Sequence, residues 1–159
     1  MRSEKEAIYS ELLVLRCRRR EKAALEELIR NWERRLFYYV RRLVDNEQDA
    51  WDILQQTWLK VIRGIAKLRE PRSLPTWLYR IARNTAMSHL RLQYSRRALF
   101  DENENISSVE ENSETFRFED AQRAHYGLSK LSLPHREVLT LHFLEDLSVE
   151  EIAEVVRIP

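Results

Sequence analysis

Helical spacing of apolar residues most constrains the fold of this chain, because it runs through most of the 159 residues. Only two glycines and four prolines interrupt it, so signals for tight turns are few. Alternating runs of β-branched residues, which predict strands, are absent. The sequence therefore predicts an all-α protein. The first helix has its apolar stripe at Ile8, Leu12 and Leu15. The predicted helices cover residues 6–20, 21–44, 47–68 and 74–97, and the helical pattern resumes at residue 121.

Positive and negative charges are concentrated in different parts of the chain. Residues 1–97 hold 22 Lys and Arg against 12 Asp and Glu, whereas residues 98–159 hold 5 against 14. The net charge is therefore +10 in the first part and −9 in the second, although the whole chain carries only +1. A basic part of this kind suits a polyanion. Residues 98–120 are acidic and rich in Asn and Ser, which predicts a linker.

The helix predicted over residues 74–97 has two different faces. The side expected to face the core comprises Leu78, Ile81, Ala82, Thr85, His89 and Leu92. The opposite side comprises Arg80, Arg83, Asn84, Met87 and Arg91. Three guanidinium groups, one amide and no carboxylate suit phosphate oxygens and base edges, although a solvated basic face is the alternative. Trp77 is expected in the core, and Tyr79 is left open between packing and base stacking.

The helix predicted over residues 47–68 carries a possible docking face. Asn46 is expected to cap it, with Asp49 in its first turn. Opposite its core stripe lie Asp52, Gln55, Gln56, Leu59, Lys60 and Arg63, and along one margin run Trp51, Trp58 and Ile62. One core stripe does not need all these apolar residues, so this surface resembles a protein-docking site. The alternatives are simple solvation and, for Trp58, packing under the N-terminal helices.

The C-terminal part predicts two short helices joined by a tight turn. Ser132 begins the first, with Val138, Leu141 and Leu144 expected to face inward. Ser148 and Glu151 form a capping box that opens the second. This pattern predicts the first part of a helix-turn-helix, although such pairs also occur as plain packing units.

Three motifs in this order resemble the sigma-70 superfamily of bacterial transcription initiation factors. They are NEQDAWDILQQTWLKVIRGI at 46–65, LPTWLYRIARNTAMSHLR at 74–91 and LSLPHREVLTLHFLEDLSVEEIAEVVRIP at 131–159. The chain is most similar to the extracytoplasmic-function (ECF) group, which keeps only sigma domains 2 and 4. The resemblance implies two small helical domains joined by an acidic linker. Sigma domain 2 would cover residues 1–97, the linker 98–120 and an incomplete sigma domain 4 residues 121–159.

The resemblance also implies a function. An ECF sigma factor binds core RNA polymerase and directs promoter-specific initiation by recognising and melting the −10 element as single-stranded non-template DNA. Contacts with the clamp helices of the largest polymerase subunit would fall to Asp52, Gln55, Gln56 and Trp58. Contacts with DNA would fall to Lys67, Arg69, Arg72, Arg80, Arg83, Asn84, Met87 and Arg91. An anti-sigma factor is a further possible partner.

The resemblance leads to an expectation about the C-terminal end. The family's helix that reads the −35 element would follow Pro159, so sigma domain 4 is expected to be incomplete and to bind −35 duplex poorly. Arg157 stands where the family usually has Gly at the preceding turn, and a left-handed residue there would cost about 1 kcal/mol more.

Other functional classes have little support in the sequence. The four histidines show no metal-binding spacing, no catalytic constellation stands out, and no cofactor or enzymatic activity is predicted. A single cysteine, Cys17, excludes an internal disulfide framework and fits a reducing cytoplasm. No apolar run predicts membrane insertion. Two alternatives to a sigma factor stay open: a non-initiating helical adaptor or inhibitor of polymerase, and a helix-turn-helix repressor that acts without polymerase.

Overall fold

The computed structural model describes residues 3–99 and 118–157. These two ranges contain helices and short helical turns but no strand, so the all-α prediction is confirmed. The α-helices are α1 (Glu4–Arg18), α2 (Lys22–Leu43), α3 (Glu47–Gly64), α4 (Leu74–Leu99), α5 (Phe118–Ser129), α6 (Leu133–Leu139) and α7 (Val149–Val156). Two 3-10 turns, Ile65–Lys67 and Pro71–Ser73, connect α3 to α4, and a π-helical turn, Thr140–Leu144, continues α6.

Local side chains determine where several helices begin. The side chain of Asn46 accepts a hydrogen bond of 2.8 Å from the backbone N–H of Asp49 at the start of α3. Ser148 and Glu151 form a reciprocal capping box at the start of α7. Both caps are confirmed as predicted. Each satisfies N–H groups that a helix terminus otherwise leaves unpaired, and such caps contribute about 1 kcal/mol each.

The core lies where α2, α3 and α4 pack against one another, and α1 packs against α2 and the two 3-10 turns. Each of these three helices buries one stripe of large side chains. Burial of each such side chain contributes roughly 1.5–3 kcal/mol. The largest fully buried side chains include Leu28, Leu36, Tyr39, Ile53, Leu54, Leu78 and Tyr79.

The first predicted helix forms as α1, but the apolar residues whose spacing predicted it do not face the core. Ile8, Leu12 and Leu15 are exposed, whereas α1 buries Leu13, Val14 and Cys17. Apolar residues occur on more than one side of α1, so their spacing alone did not identify the side that packs.

The predicted core side of α4 needs a smaller correction. Leu92 is 61% exposed, whereas Tyr79 and Ala86 are fully buried. The buried side is therefore rotated towards Tyr79, because this ring packs against Trp32 and Tyr39 of α2. Trp77 is partly buried and packs against the core, as predicted.

The C-terminal helices pack on the same core. α7 lies against α4, and α6 and the π-helical turn lie against α2. Leu141, Leu147, Ile152 and Val155 are buried in this contact.

The predicted inward residues of α6 are correct only for Leu141. Val138 and Leu144 are 37% and 50% exposed, whereas Glu137 and Glu145 are buried. Two factors explain the difference. The carboxylates of Glu137 and Glu145 have partners on α2 and α4. Leu144 lies within the π-helical turn, whose wider spacing changes its angular position.

The predicted linker lies mostly outside the described residues, since 100–117 are not described. At its margins, α4 continues through Leu99 and α5 already begins at Phe118. The division into 1–97, 98–120 and 121–159 stays a prediction. Of the helices in the described ranges, none is both long and apolar enough to cross a membrane.

Candidate nucleic-acid and polymerase interfaces

The outer face of α4 is basic and partly accessible. Arg80, Asn84, Met87 and Arg91 recur every three or four residues, so they share one side of the helix. Arg91 is exposed and the other three are half-buried. Met87, predicted on the outer face alone, packs partly against the core. The Nε atom of Arg80 is buried and has no hydrogen-bond partner within the described part of the chain.

Arg83 lies at the margin of this face and is already bonded to a carboxylate. Its Nε donates to Glu137 Oε1 at 2.6 Å, and the two side chains are 22% and 3% exposed. The same oxygen of Glu137 accepts a hydrogen bond of 2.6 Å from the hydroxyl of Tyr39. Burial, together with the Glu137 carboxylate, raises the pKa of Tyr39 well above its ordinary value. Tyr39 therefore remains a proton donor to Glu137.

A second buried carboxylate binds α2 and α4 in the same way. Glu145 Oε2 accepts a hydrogen bond of 3.1 Å from Arg35 Nε, and Arg35 Nη2 donates to the Glu145 backbone carbonyl at 3.1 Å. The hydroxyl of Tyr79 also donates to Glu145. Tyr79 is fully buried, and its ring meets those of Trp32 and Tyr39 edge-on at centroid distances of 6.0 and 5.3 Å. The structure thus places Tyr79 in the core.

Glu137, Glu145, Arg35 and Tyr39 were not identified from the sequence as functional residues. One sequence signal for the two carboxylates exists, because Glu137 and Glu145 flank the mostly apolar stretch VLTLHFL. Buried carboxylates of this kind require partners, which pattern reading along one helix does not supply.

The connection between α3 and α4 carries the other three predicted DNA-binding residues. Lys67, Arg69 and Arg72 are all exposed. Arg72 forms an ion pair with Glu11 of α1, and this carboxylate raises the pKa of the Arg72 guanidinium. Arg18 donates hydrogen bonds to the backbone carbonyls of this connection.

The predicted docking face of α3 is exposed over most of its length. Gln55, Gln56 and Leu59 are exposed and Asp52 is half-buried. Trp51 and Ile62 are also exposed, and the Trp51 ring stacks on Phe37 at 4.2 Å between centroids. Polar and apolar groups are thus accessible together on one side of α3.

Trp58 differs from the other predicted polymerase contacts. Its side chain is only 7% exposed and belongs to the core. This agrees with the alternative prediction that Trp58 packs inside the protein. A polymerase contact by Trp58 stays an untested prediction.

Within residues 3–99 and 118–157, no group of three or more His, Cys, Asp and Glu side chains could hold a metal ion.

Comparison with known proteins identifies the family. Residues 28–96 match the family model for Sigma-70 region 2. RNA polymerase sigma-H factor of Pseudomonas aeruginosa is 32% identical over 158 residues, covering 92% of this chain and 82% of that protein. ECF RNA polymerase sigma-E factor of Salmonella typhimurium is 31% identical over 165 residues, covering 97% of this chain and 86% of that protein. The chain belongs to the ECF sigma factors of the sigma-70 family.

A solved structure supports the fold of this ECF sigma factor. The chain is similar to CnrH in complex with the cytosolic domain of CnrY, with a TM-score of 0.67 and 20% sequence identity. The likeness covers 94% of this chain and 84% of that one. It is consistent with the all-α architecture.

Membership of the family establishes the general function. This ECF sigma factor acts in transcription initiation and binds RNA polymerase. The comparisons do not favour either an adaptor or a polymerase-independent repressor. The family consists of DNA-binding initiation factors, which is consistent with a non-enzymatic protein.

Proposed function

We propose that this sigma factor uses α3 to bind polymerase and α4, with the preceding connection, to open promoter DNA. The observation that carries this proposal is the separation of two chemically different faces on adjacent helices. Gln55, Gln56 and Leu59 are exposed on α3, whereas Arg80 and Arg91 lie on the outer face of α4. The first surface suits a protein and the second suits a polyanion.

On α3, docking to the clamp helices of the largest polymerase subunit is supported by exposed apolar side chains among polar ones. Leu59 is 55% exposed, and Trp51 and Ile62 are exposed nearby. Asp52, Gln55 and Gln56 supply hydrogen-bonding groups around them. A central apolar contact with a polar rim is the usual composition of a protein interface.

On α4, melting of the −10 element requires a surface that binds single-stranded bases more tightly than closed duplex. Arg80, Arg91 and Lys67 would bind phosphates, and the Asn84 amide would bond to a base edge. Arg69, Arg72 and Met87 complete the proposed contact. The duplex opens when the free energy of these contacts exceeds the cost of unstacking.

Arg83 bonds to Glu137 through its Nε. If the Arg83 side chain turns to bind DNA, this link between α4 and α6 is lost. We therefore expect the C-terminal helices to be held less tightly in the promoter complex.

The protein would act in the cytoplasm, where core polymerase transcribes. An inhibitory anti-sigma partner is supported by the solved structure of CnrH, which is a complex with the cytosolic domain of CnrY.

Transcription by the reconstituted holoenzyme tests the proposal. On a promoter library with a randomised −10 region, we expect defined start sites and selected −10 sequences. The variant Asn84→Ala should lose more activity on duplex templates than on templates with a pre-opened bubble, whereas Ser88→Ala, one turn away on α4, should keep both. Polymerase binding without start-site selection would indicate an adaptor. Tight, specific duplex binding without polymerase would indicate a repressor.

A further inference from the structure

The connection between α3 and α4 has little regular structure of its own. Between its two 3-10 turns, residues 68–70 lie outside any helix. The backbone N–H of Leu68 bonds to the carbonyl of Ile65 at 3.2 Å. Its own carbonyl and that of Arg69 instead accept hydrogen bonds from a residue about fifty positions earlier in the chain.

That residue is Arg18, in the last turn of α1. Its Nη2 atom donates to the carbonyl of Leu68 and, at 3.0 Å, to the carbonyl of Arg69. The side chain is half-buried and its Nε is fully buried. A planar guanidinium that bridges two successive carbonyls determines the direction of both peptide groups.

A second link connects the same region to α1. Arg72, in the second of these turns, forms an ion pair with Glu11, about two helical turns before Arg18. The side chain of Leu68 is also buried. The connection is therefore held by α1 on both sides of residues 70–71.

We propose that Arg18 is a positioning residue for base selection in the −10 element. This inference rests on the proposed function, because it assumes that the connection contacts DNA. Arg18 donates its protons inward, to the carbonyls of Leu68 and Arg69, and its role is to hold the backbone from which Lys67 and Arg69 extend. A base pocket formed by this backbone keeps its shape only while both carbonyls are held.

Variants of Arg18 and Arg19 distinguish an effect on the shape of the connection from an effect of lost positive charge. Replacing Arg18 removes one positive charge, and replacing the adjacent, exposed Arg19 removes the same charge. Arg18→Gln loses the bridge between the two carbonyls, whereas Arg19→Gln leaves it intact. Arg18→Lys retains the charge but replaces the planar guanidinium, whose Nη2 donates to both carbonyls, with a compact ammonium on a different side chain.

Sequencing transcripts from the reconstituted holoenzyme on the randomised −10 library tests this role. We expect Arg18→Gln to reduce the preference for the selected base by about five- to tenfold, within the range of one specific base contact. Arg18→Lys should show most of this loss, and Arg19→Gln should select bases as the wild type does. Polymerase affinity should be the same in all four proteins.

The outcomes distinguish failure of this inference from failure of the proposed function. If the wild type selects no −10 sequence, the proposed function fails. If the wild type selects bases and both Arg18 variants select them equally well, the positioning role is wrong. A uniform loss of activity on every template, with a lowered melting temperature, would also overturn it, since that result indicates a purely structural role. If Arg18→Gln does not fold, Arg18→Lys carries the same comparison.

Discussion

The outer faces of α3 and α4 differ in what already occupies them. On α3, Gln55, Gln56 and Leu59 are exposed. On α4, Arg83 is bonded to a buried carboxylate from α6, and α7 also packs on this helix. The proposed protein-binding face is therefore accessible as it stands, whereas full use of Arg83 on the proposed DNA-binding face breaks its bond to Glu137.

The Glu137 carboxylate, bonded to Arg83 of α4, stabilises the docking of the C-terminal helices. Glu137 accepts from both Tyr39 and Arg83, so one carboxylate links α2, α4 and α6. Removing one partner of a buried ion pair generally costs about 3–5 kcal/mol, because the other partner remains unsatisfied. Arg83 is 22% exposed and can turn towards water. The free-energy cost of leaving Arg83 without its carboxylate partner is therefore at the low end of that range.

The largest effect should come from Glu137→Leu, which removes the acceptor shared by Tyr39 and Arg83. We expect α6 and α7 to separate from α4, with loss of roughly 3 kcal/mol of docking free energy. Hydrogen exchange should become faster in α6 and α7, and binding of a single-stranded −10 oligonucleotide should become tighter. Glu154→Leu, at an exposed position of α7, is the control. Unchanged exchange together with unchanged DNA binding would show that α6 does not restrict α4.

The α3 side of the comparison is tested by Leu59→Asp. Leu59 is 55% exposed, so the substitution should leave the melting temperature unchanged. It should weaken binding to core polymerase by at least about tenfold, equivalent to about 1.4 kcal/mol, because it places a charge in an apolar contact. Leu12→Asp is matched in exposure, at 56%, but lies on α1. Equal effects of the two substitutions would indicate that α3 is not the docking face.

Arg91→Gln tests whether the accessible part of α4 contacts phosphates. We expect weaker promoter binding by the holoenzyme on all sequences and a salt dependence reduced by about one unit of slope. Arg96→Gln removes the same charge on the other side of the same helix and should leave the slope unchanged. Sequence-dependent losses with an unchanged slope would instead assign Arg91 to base recognition.

The smallest effect concerns the end of α7. Arg157 has φ 56° and ψ 45°, a left-handed conformation that glycine adopts more readily. Arg157→Gly should stabilise the fold by about 1 kcal/mol and raise the melting temperature by about 2–4 °C. Arg157→Ala retains a Cβ and should show no comparable gain. A gain with alanine equal to that with glycine would attribute the effect to the lost arginine side chain.

The sequence predicted those features that depend on neighbouring residues. The Asn46 cap, the Ser148–Glu151 capping box and the helices around them depend on groups within one turn, and they formed as expected. The exposed side of α3 was also recognisable, because its polar residues recur at helical spacing.

The failures share a physical cause. The bond from Arg83 to Glu137 spans 54 residues, and that from Tyr39 spans 98. A carboxylate without known partners is expected at the surface. The sequence pattern therefore does not identify Glu137 as buried and predicts Val138 inward instead. In α1, apolar residues on several sides gave two possible buried stripes, and only the tertiary contacts distinguish them.

The order in which the ribosome makes the chain gives the Arg83–Glu137 bond a further consequence. Arg83 leaves the ribosome 54 residues before Glu137, which at the usual rate of synthesis corresponds to roughly 3–11 s. During that interval the nascent protein holds an arginine whose future partner has not yet been made. Arg83 is therefore available to other anions before Glu137 is made.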